Sequence, residues 1–167
     1  MIKKVKRNYL EINSIEDLSE TYSFPEKSSV KLVKSADFQL NKFFYKSIGK
    51  KHNWVDRLIW NEKQWEEYTS NKNVKTYVLK IKEDIAGYFE LISHPDQNEV
   101  EIAYLGLLEE YHNKKLGSYL LSSAIRNSFI ENPKRVWVHT CSLDHKNALN
   151  NYLSRGMKIF KTETISI

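Results

Sequence analysis

The sequence predicts a single domain of the mixed α/β class, in which strands and helices alternate along the chain. Three strand-like segments, at residues 76–81, 85–93 and 100–108, follow one another through short turns. A helical segment begins at Leu116 and stops before Pro133. Because helices alternate with strands around this central meander, we expect a mixed β-sheet.

The N-terminal third predicts two strands and then helices. Residues 9–12 and 30–33 have the composition of short strands, on either side of a polar, loop-like stretch that contains Pro25. Between residues 41 and 68, aromatic and aliphatic side chains recur at helical spacing. This spacing predicts two or three short amphipathic helices.

The C-terminal third predicts two further strands and a short helix. Residues 135–140 alternate as a strand, and residues 147–154 are typical of a helix. Gly156 suits the position just after that helix, where glycine is favoured because a positive φ is common. Residues 157–167 predict the last strand.

Composition narrows the class of protein. The chain has 167 residues, of which 41% are hydrophobic, so it is long enough to bury a core without disulfides. Cys141 is the sole cysteine, which fits a reducing compartment. No run reaches the ~18 apolar residues of a membrane span, and the basic start lacks the apolar stretch of a signal peptide. We therefore expect a cytoplasmic protein that does not enter a membrane.

The net charge of +5 is mild, and most of the excess is lysine scattered along the chain. No basic stripe, zinc-ligand spacing or aromatic RNA-binding pattern accompanies it, so the sequence disfavours a nucleic-acid partner. An RNA-associated basic protein is kept as a minor alternative. A small polyanionic ligand would account for a basic patch equally well.

The segment EEYHNKKLGSYLLSSAI, at residues 109–125, leads from the third central strand into the helix. A strand, a short loop and a helix N-terminus form a site suited to anions, because free backbone N–H groups and the helix dipole point at the ligand. Lys114 and Lys115 would add positive charge beside a pyrophosphate. Taken alone, the segment could also be an ordinary helix start.

Two motifs in order resemble the GCN5-related N-acetyltransferase (GNAT) superfamily, in its bacterial group of undefined substrate. The family's loop Gln/Arg-x-x-Gly-x-Gly/Ala falls on His112, Lys115 and Gly117, with two of three positions changed. Its later motif, Asn-x-x-Ala-x-x-x-Tyr-x-x-x-Gly-Phe, keeps its alanine, tyrosine and glycine, with changes at the first and last positions. On this chain the motif falls on His145, Ala148, Tyr152, Gly156 and Met157.

The resemblance implies a GNAT-like fold: a central mixed sheet that splays apart between the strand at 100–108 and the strand at 135–140, with helices on both faces. It implies one acetyltransferase domain over residues 1–167. That domain would comprise N-terminal strands and a loop (1–40), substrate-side helices (41–70) and an acetyl-CoA-binding core (74–167). Acetyl-CoA would be the acyl-donor substrate, its pantetheine arm lying in the gap.

The resemblance also assigns cofactor contacts. Strand backbone would pair with the pantetheine arm, loop amides would hold the pyrophosphate, and the region where the family has asparagine would complete the site. The residues so assigned are Leu105, Gly106, Leu107, His112, Asn113, Lys114, Lys115, Leu116, Gly117, Ser118, His145 and Asn147.

Acetyl transfer to an amine needs a base for the ammonium proton and an acid for the leaving thiolate. Glu101 is the candidate base, because strict strand alternation would place it on the face of Ala103, Leu105 and Leu107. It could instead be an exposed strand charge, and Glu90 is the rival carboxylate. By resemblance Tyr152 would donate to the thiolate, although it also fits the apolar face of its helix.

Acceptor contacts are expected from the aromatic and charged residues of the substrate-side helices and the adjacent strands: Tyr45, Trp54, Asp56, Arg57, Glu90 and Tyr104. Asp56 and Arg57 could form an ion pair or orient a charged substrate. The cluster His139, Cys141, Asp144 and His145 lacks the second ligand pair typical of structural zinc, so we expect no metal. A Cys141 nucleophile beside a histidine has no accompanying oxyanion-hole signature.

The leading hypothesis is an N-acetyltransferase that moves an acetyl group from acetyl-CoA to a primary amine of a small molecule or peptide, by direct attack in a ternary complex. Alternatives are an inactive acyl-CoA-binding or sensor protein of the same fold, and an enzyme for longer acyl donors. The superfamily includes many dimers, so a homodimer is a compatible assembly.

Overall fold

The computed structural model describes residues 1–20 and 25–167, and the strands of these residues form one seven-stranded sheet. In chain order the strands are β1 (Lys4–Ile12), β2 (Ser28–Leu32), β3 (Val74–Ile81), β4 (Asp84–His94), β5 (Glu99–Leu107), β6 (Arg135–Cys141) and β7 (Lys158–Ser166). Their order across the sheet is β2-β3-β4-β5-β6-β1-β7, and only the β5–β6 pair is parallel. The predicted mixed sheet is confirmed.

The helices are α1 (Phe38–Gly49), α2 (Glu62–Ser70), α3 (Leu116–Ser128) and α4 (Ala148–Ser154). The helical spacing at 41–68 thus corresponds to α1 and α2, and α3 begins at Leu116 as predicted. Gly156 follows α4 with a φ of +104°, as expected for a helix-ending glycine. The loop predicted around Pro25 includes residues 21–24, which lie outside the described residues.

The two faces of the sheet carry separate apolar clusters. Helices α3 and α4 cover the first face, where the core contains Leu10, Ile102, Leu120, Val136 and Tyr152. Helix α1 covers the second face, where Phe44 stacks on Tyr88 with ring centroids 4.6 Å apart. We call these the α3 face and the α1 face. Predicted helices on both faces are confirmed.

Strands β5 and β6 pair only at their first residues and then separate. The ladder consists of Glu99 with Arg135, Val100 with Val136, and Glu101 with Trp137. Beyond it, β5 continues to Leu107 along β4, and β6 continues to Cys141 along β1. Each strand is therefore held by its outer neighbour while a gap opens between them, as the resemblance implies.

A bulge in β5 reverses the side-chain alternation that the sequence predicts. Glu90 pairs with Tyr104 and Leu91 pairs with Ile102, so Ala103 is an extra residue. As a consequence, the side chains of Ile102 and Leu105 both point to the α3 face of the sheet. Glu101 therefore lies on the opposite face from Leu105 and Leu107, and the expectation that they share a face is wrong.

Gly106 brings α1 into direct contact with β5. A Cβ atom at this position would lie 2.7 Å from Ile48 Cγ2, closer than packed side chains allow. The absence of a side chain at Gly106 thus lets the C-terminal end of α1, and the loop that follows it, reach the gap between β5 and β6.

Candidate active site

A cavity of about 640 Å³ fills the gap between β5 and β6. Its walls include Ile102 and Leu105, which face the α3 face, and Tyr104 and His139, which face the α1 face. The cavity therefore passes through the sheet. The volume of the cavity is within the range of small-molecule sites. A ligand that enters from the α3 face could meet a second ligand on the α1 face.

The loop before α3 has the backbone of a glycine-rich turn without its glycines. Asn113 and Lys115 both adopt left-handed conformations with a φ of 61°. Lys115 thus occupies a family glycine position with a backbone that glycine would favour. The nearest heavy atom to a Cβ built on Gly117 would be Asn151 Nδ2, at 3.6 Å, so the protein itself leaves room there.

Most of the residues that the resemblance assigns to the cofactor line the cavity. They are Leu105, Gly106, Leu107, His112, Asn113, Lys115, Leu116, Gly117, Ser118, His145 and Asn147. Lys114 does not line it, because its Nζ atom lies 5.6 Å from the centroid of the Tyr111 ring instead. Of the two loop lysines, Lys115 is therefore the one placed to meet an anion.

Three imidazoles from different loops meet at the cavity. The His145 ring centroid lies 5.2 Å from that of His112 and 6.1 Å from that of His52. His112 Nε2 lies 3.0 Å from the Leu107 carbonyl oxygen, to which only a protonated nitrogen can donate. Partial burial and the two neighbouring imidazoles lower the pKa of His145, which favours its neutral form.

Tyr152 lines the cavity from α4. Burial raises the pKa of its hydroxyl, and the nearby Asp144 carboxylate adds to this, so Tyr152 keeps its proton. Asp144 also accepts a hydrogen bond from the Cys141 amide at 3.0 Å and one from the Thr140 hydroxyl. These bonds fix the turn between β6 and α4, which carries His145 and Asn147.

Glu101 does not line the cavity. Its carboxylate Oε1 lies 3.0 Å from His94 Nε2, and Trp137 is its partner on β6. The His94 ring stacks on Trp137 with centroids 6.2 Å apart. Glu101 therefore closes the base of the gap, where the two strands are still paired.

Arg57 and Glu90 form a buried ion pair. Arg57 Nη1 lies 2.9 Å from Glu90 Oε1, and Glu90 also accepts from the Tyr68 hydroxyl at 2.6 Å and from Asn41 Nδ2 at 3.1 Å. The Arg57 guanidinium lies 4.4 Å from the centroid of the Tyr104 ring. Burial alone would lower the pKa of Arg57, but the Glu90 carboxylate reverses this and raises it.

This pair changes two expectations for the acceptor side. Arg57 bonds to Glu90, not to Asp56, so the alternative in which Asp56 and Arg57 form an ion pair is wrong. Neither Arg57 nor Glu90 lines the cavity. Their side chains bond to each other, and the Arg57 guanidinium also lies against the rings of Trp60 and Tyr68. Their position fits a structural anchor for the α1–α2 loop and not direct substrate contact.

The α1 face of the cavity is aromatic and carries the exposed carboxylate of Asp56. Trp54 and Tyr104 line it with ring centroids 4.7 Å apart, and Asp56 lines it as an exposed side chain. Tyr45 is fully buried behind them, and its hydroxyl accepts a hydrogen bond from the Arg57 amide at 3.0 Å. Tyr45 thus supports the wall without lining it.

Several cavity residues were missed by sequence reasoning: Arg7, His52, Asn53 and Asn151. His139 also lines the cavity, but it was considered only as a metal ligand or as a partner of Cys141. Arg7 lies on β1, whose place beside β6 has no local signal. His139 could have been found, because it alternates with Val138 on a predicted strand and so faces away from the core. Among residues 1–20 and 25–167, no group of three or more metal-ligating side chains is placed to hold a metal ion.

A mixed sheet that separates at its one parallel pair, with a cavity in the gap and a helix N-terminus at its edge, defines an acetyltransferase fold of the GNAT type. The chain belongs to the acetyltransferase (GNAT) family, because the sequence model of that family matches residues 38–157. No curated protein matches the chain. Across the described ranges, no helix is long and apolar enough to span a membrane.

Solved structures share the fold at low sequence identity. A GCN5-related N-acetyltransferase from Sphaerobacter thermophilus matches 97% of this chain and 50% of its own, with a TM-score of 0.73 and 12% identity. A functionally unknown conserved protein from Staphylococcus epidermidis matches 98% and 61%, with a TM-score of 0.66 and 18% identity. The chain thus spans between half and two thirds of the length of these two proteins.

A third structure is closer in length. An aminoglycoside acetyltransferase from an uncultured soil metagenomic sample, in complex with sisomicin, matches 77% of this chain and 87% of its own. Its TM-score is 0.64 and its identity is 12%. Identities this low show that the fold is shared and no more.

The buried ion pair predicts a large loss of stability when its charge is removed. Glu90→Gln leaves the Arg57 guanidinium buried without a counter-charge, so we expect the free energy of unfolding to fall by about 3–5 kcal/mol. Urea denaturation followed by circular dichroism measures this change. The matched control is Glu67→Gln, which removes the partner of Lys63 on the exposed face of α2 and should change stability by less than ~0.5 kcal/mol. Equal losses for the two variants would contradict the anchoring role.

Proposed function

We propose that the protein is an N-acetyltransferase that transfers the acetyl group of acetyl-CoA directly to a primary amine of a small molecule or peptide. The observation that carries this proposal is the cavity between β5 and β6, whose walls contain residues from both faces of the sheet. Such a passage lets a thioester and an amine approach one another from opposite sides. Membership of the acetyltransferase family supports the same reaction.

The donor would lie along β5 and against the start of α3. Beyond Glu101, the edge of β5 that faces β6 has no strand partner, so its backbone groups can pair with the amides of a pantetheine arm, apart from the Leu107 carbonyl, which already contacts His112 Nε2. The N–H groups of the first turn of α3 and the Lys115 side chain suit the pyrophosphate. Gly117 leaves space for a close approach.

The acceptor would occupy the α1 face of the cavity, between Trp54, Tyr104 and Asp56. An exposed carboxylate beside two aromatic rings is suited to a cationic amine. The sisomicin complex of the metagenomic enzyme is an example, in that protein, of a small molecule bound to this fold. It supports a small-molecule acceptor here.

In the reaction, the neutral amine nitrogen attacks the thioester carbonyl, the new N–C bond forms and the C–S bond breaks. Tyr152 donates its proton to the leaving thiolate, which departs as the thiol of CoA. The raised pKa of Tyr152 keeps that proton available at neutral pH. The reaction would take place inside the cell, where acetyl-CoA is made.

Charge reversal at Lys115 tests the donor site. Lys115→Glu places a carboxylate where the pyrophosphate would lie, so we expect acetyl-CoA to bind at least ~10-fold more weakly, because like charges repel at short range. Isothermal titration calorimetry of the purified protein with acetyl-CoA measures the dissociation constant.

Two control variants separate charge at the site from charge elsewhere. Lys114→Glu makes the same change one residue away, on a side chain that lies against Tyr111, and should weaken binding by less than ~3-fold. Lys115→Gly should be tolerated and should weaken binding less than Lys115→Glu, because it removes a positive charge without adding a negative one and glycine accepts the φ of 61°. Equal weakening by the two Lys→Glu variants would contradict the assigned position of the pyrophosphate.

Removing one hydroxyl tests the acid. Tyr152→Phe keeps the ring in the core but cannot protonate the thiolate, so we expect kcat to fall by about 10²-fold or more while acetyl-CoA affinity changes little. Steady-state thiol release with a panel of primary amines gives kcat, and calorimetry gives the affinity. If Tyr152→Phe retained wild-type kcat, the hydroxyl would have only a structural role.

A further inference from the structure

We propose that His139, and not Glu101, accepts the proton of the amine. This inference rests on the proposed acetyl transfer and identifies the residue that makes the amine nucleophilic. It depends on where the two side chains lie relative to the point at which β5 and β6 separate.

His139 is the first residue of the α1 face on β6 beyond the paired segment. Trp137 is the last residue of β6 that pairs with β5, and His139 follows it on the same face. Because β5 has moved away at this level, the His139 side chain faces the cavity, which it lines as an exposed residue. On its other side, the ring contacts Tyr9 of β1 at a centroid distance of 5.5 Å.

Glu101 lies on β5 before the point at which the two strands separate, so its carboxylate does not face the space that the amine would occupy. It pairs with Trp137 at the last rung of the ladder, does not line the cavity, and is bonded to His94. Its charge still acts on His139, since it favours the protonated imidazole. Glu101 is therefore not the base but a neighbouring charge that increases the proton affinity of His139.

His139 and Tyr152 stand on opposite faces of the sheet, at one cavity. Tyr152 belongs to the core of the α3 face, from which the donor would enter, and His139 faces the acceptor side. An acyl group in the gap would therefore have its sulfur towards Tyr152 and its carbonyl carbon open to a nitrogen beside His139. The acid, Tyr152, therefore acts at the sulfur and the base, His139, acts at the nitrogen, so the two side chains do not exchange a proton with each other.

Charged groups from each surrounding element act on His139. His139 keeps an exposed surface towards the cavity, but the cavity walls exclude part of the water around its ring, which lowers its pKa, and Arg7 from β1 lowers it further. The carboxylates of Glu101 from β5, Asp144 from the β6–α4 turn and Asp56 from the α1–α2 loop raise it. The net direction is downward, so the imidazole is neutral near pH 7 and has a free lone pair.

The protons balance as follows. The bound ammonium gives one proton to His139, which releases it to solvent, and the neutral nitrogen then attacks the carbonyl carbon. The C–S bond breaks and Tyr152 protonates the thiolate. The nitrogen loses its second proton as the amide forms, and that proton restores Tyr152 through solvent. The net products are the N-acetyl amide, the free thiol of CoA and one proton.

The test is the pH dependence of His139→Gln against that of the wild type. kcat/KM is measured for one amine from about pH 5 to about pH 9 by thiol release, and the ratio of wild type to variant is plotted, because the titration of the amine cancels in it. We expect a plateau ratio of about 10² or more, falling about tenfold per pH unit below the pKa of His139. Acetyl-CoA affinity should be unchanged, which shows that the variant is folded.

Two further variants complete the test. Glu101→Gln removes a group that raises the pKa of His139. The pH at which kcat/KM of this variant begins to fall on the acidic side should therefore be lower than for the wild type, and its maximal kcat/KM should decrease by less than ~10-fold. Lys63→Gln, a substitution on the exposed face of α2 outside the cavity, should leave the ratio near unity at all pH values. The inference is overturned if His139→Gln keeps wild-type kcat/KM, or if Glu101→Gln alone abolishes the plateau. A wild type that binds acetyl-CoA and acetylates no amine would overturn the proposed function itself.

Discussion

The architecture of this protein depends on two parallel strands that stop pairing after their third rung. Beyond Glu101 and Trp137, each strand leaves one row of backbone N–H and C=O groups without a strand partner on its inner edge. Such groups are costly unless they bond to water or to a ligand. The gap persists because the outer edges stay fully paired, β5 with β4 and β6 with β1. A permanent opening inside the sheet results, and in the proposed function this opening receives the amide-containing arm of CoA.

The rest of the site follows from this opening. The bulge at Ala103 turns Leu105 and Leu107 towards the α3 face and leaves Tyr104 on the α1 face, so one strand contributes to both halves of the cavity. On the acceptor side, the loop after α1 carries Trp54 and Asp56 into the wall. The buried Arg57–Glu90 pair fastens that loop to β4, and Gly106 allows α1 to approach closely enough.

Much of this fold was predictable from the sequence, because apolar periodicity, turn residues and a terminal glycine are local signals. The bulge was not, since nothing in the residues around Ala103 distinguishes a bulged strand from a regular one, and its effect was to put Glu101 on the unexpected face. Arg57 was misjudged because its partner Glu90 lies on another element. The loop motif was difficult to recognise because lysine stands at position 115, where the family has glycine, although the backbone there keeps the left-handed conformation. His139 was considered only as a metal ligand or as a partner of Cys141, because the cavity that it lines forms where β5 and β6 separate, and that separation has no local signal in the sequence.

The claim that the β5–β6 gap receives CoA is tested most directly by amide hydrogen exchange with and without the ligand. Saturating CoA should slow exchange in residues 102–107 and 112–118, because gap-facing amides of β5 and the first turn of α3 gain hydrogen-bond partners. Exchange in the paired strands β2 and β3, at the far edge of the sheet, should stay the same. Unchanged exchange in residues 102–107 at full saturation, or protection confined to another surface, would contradict it.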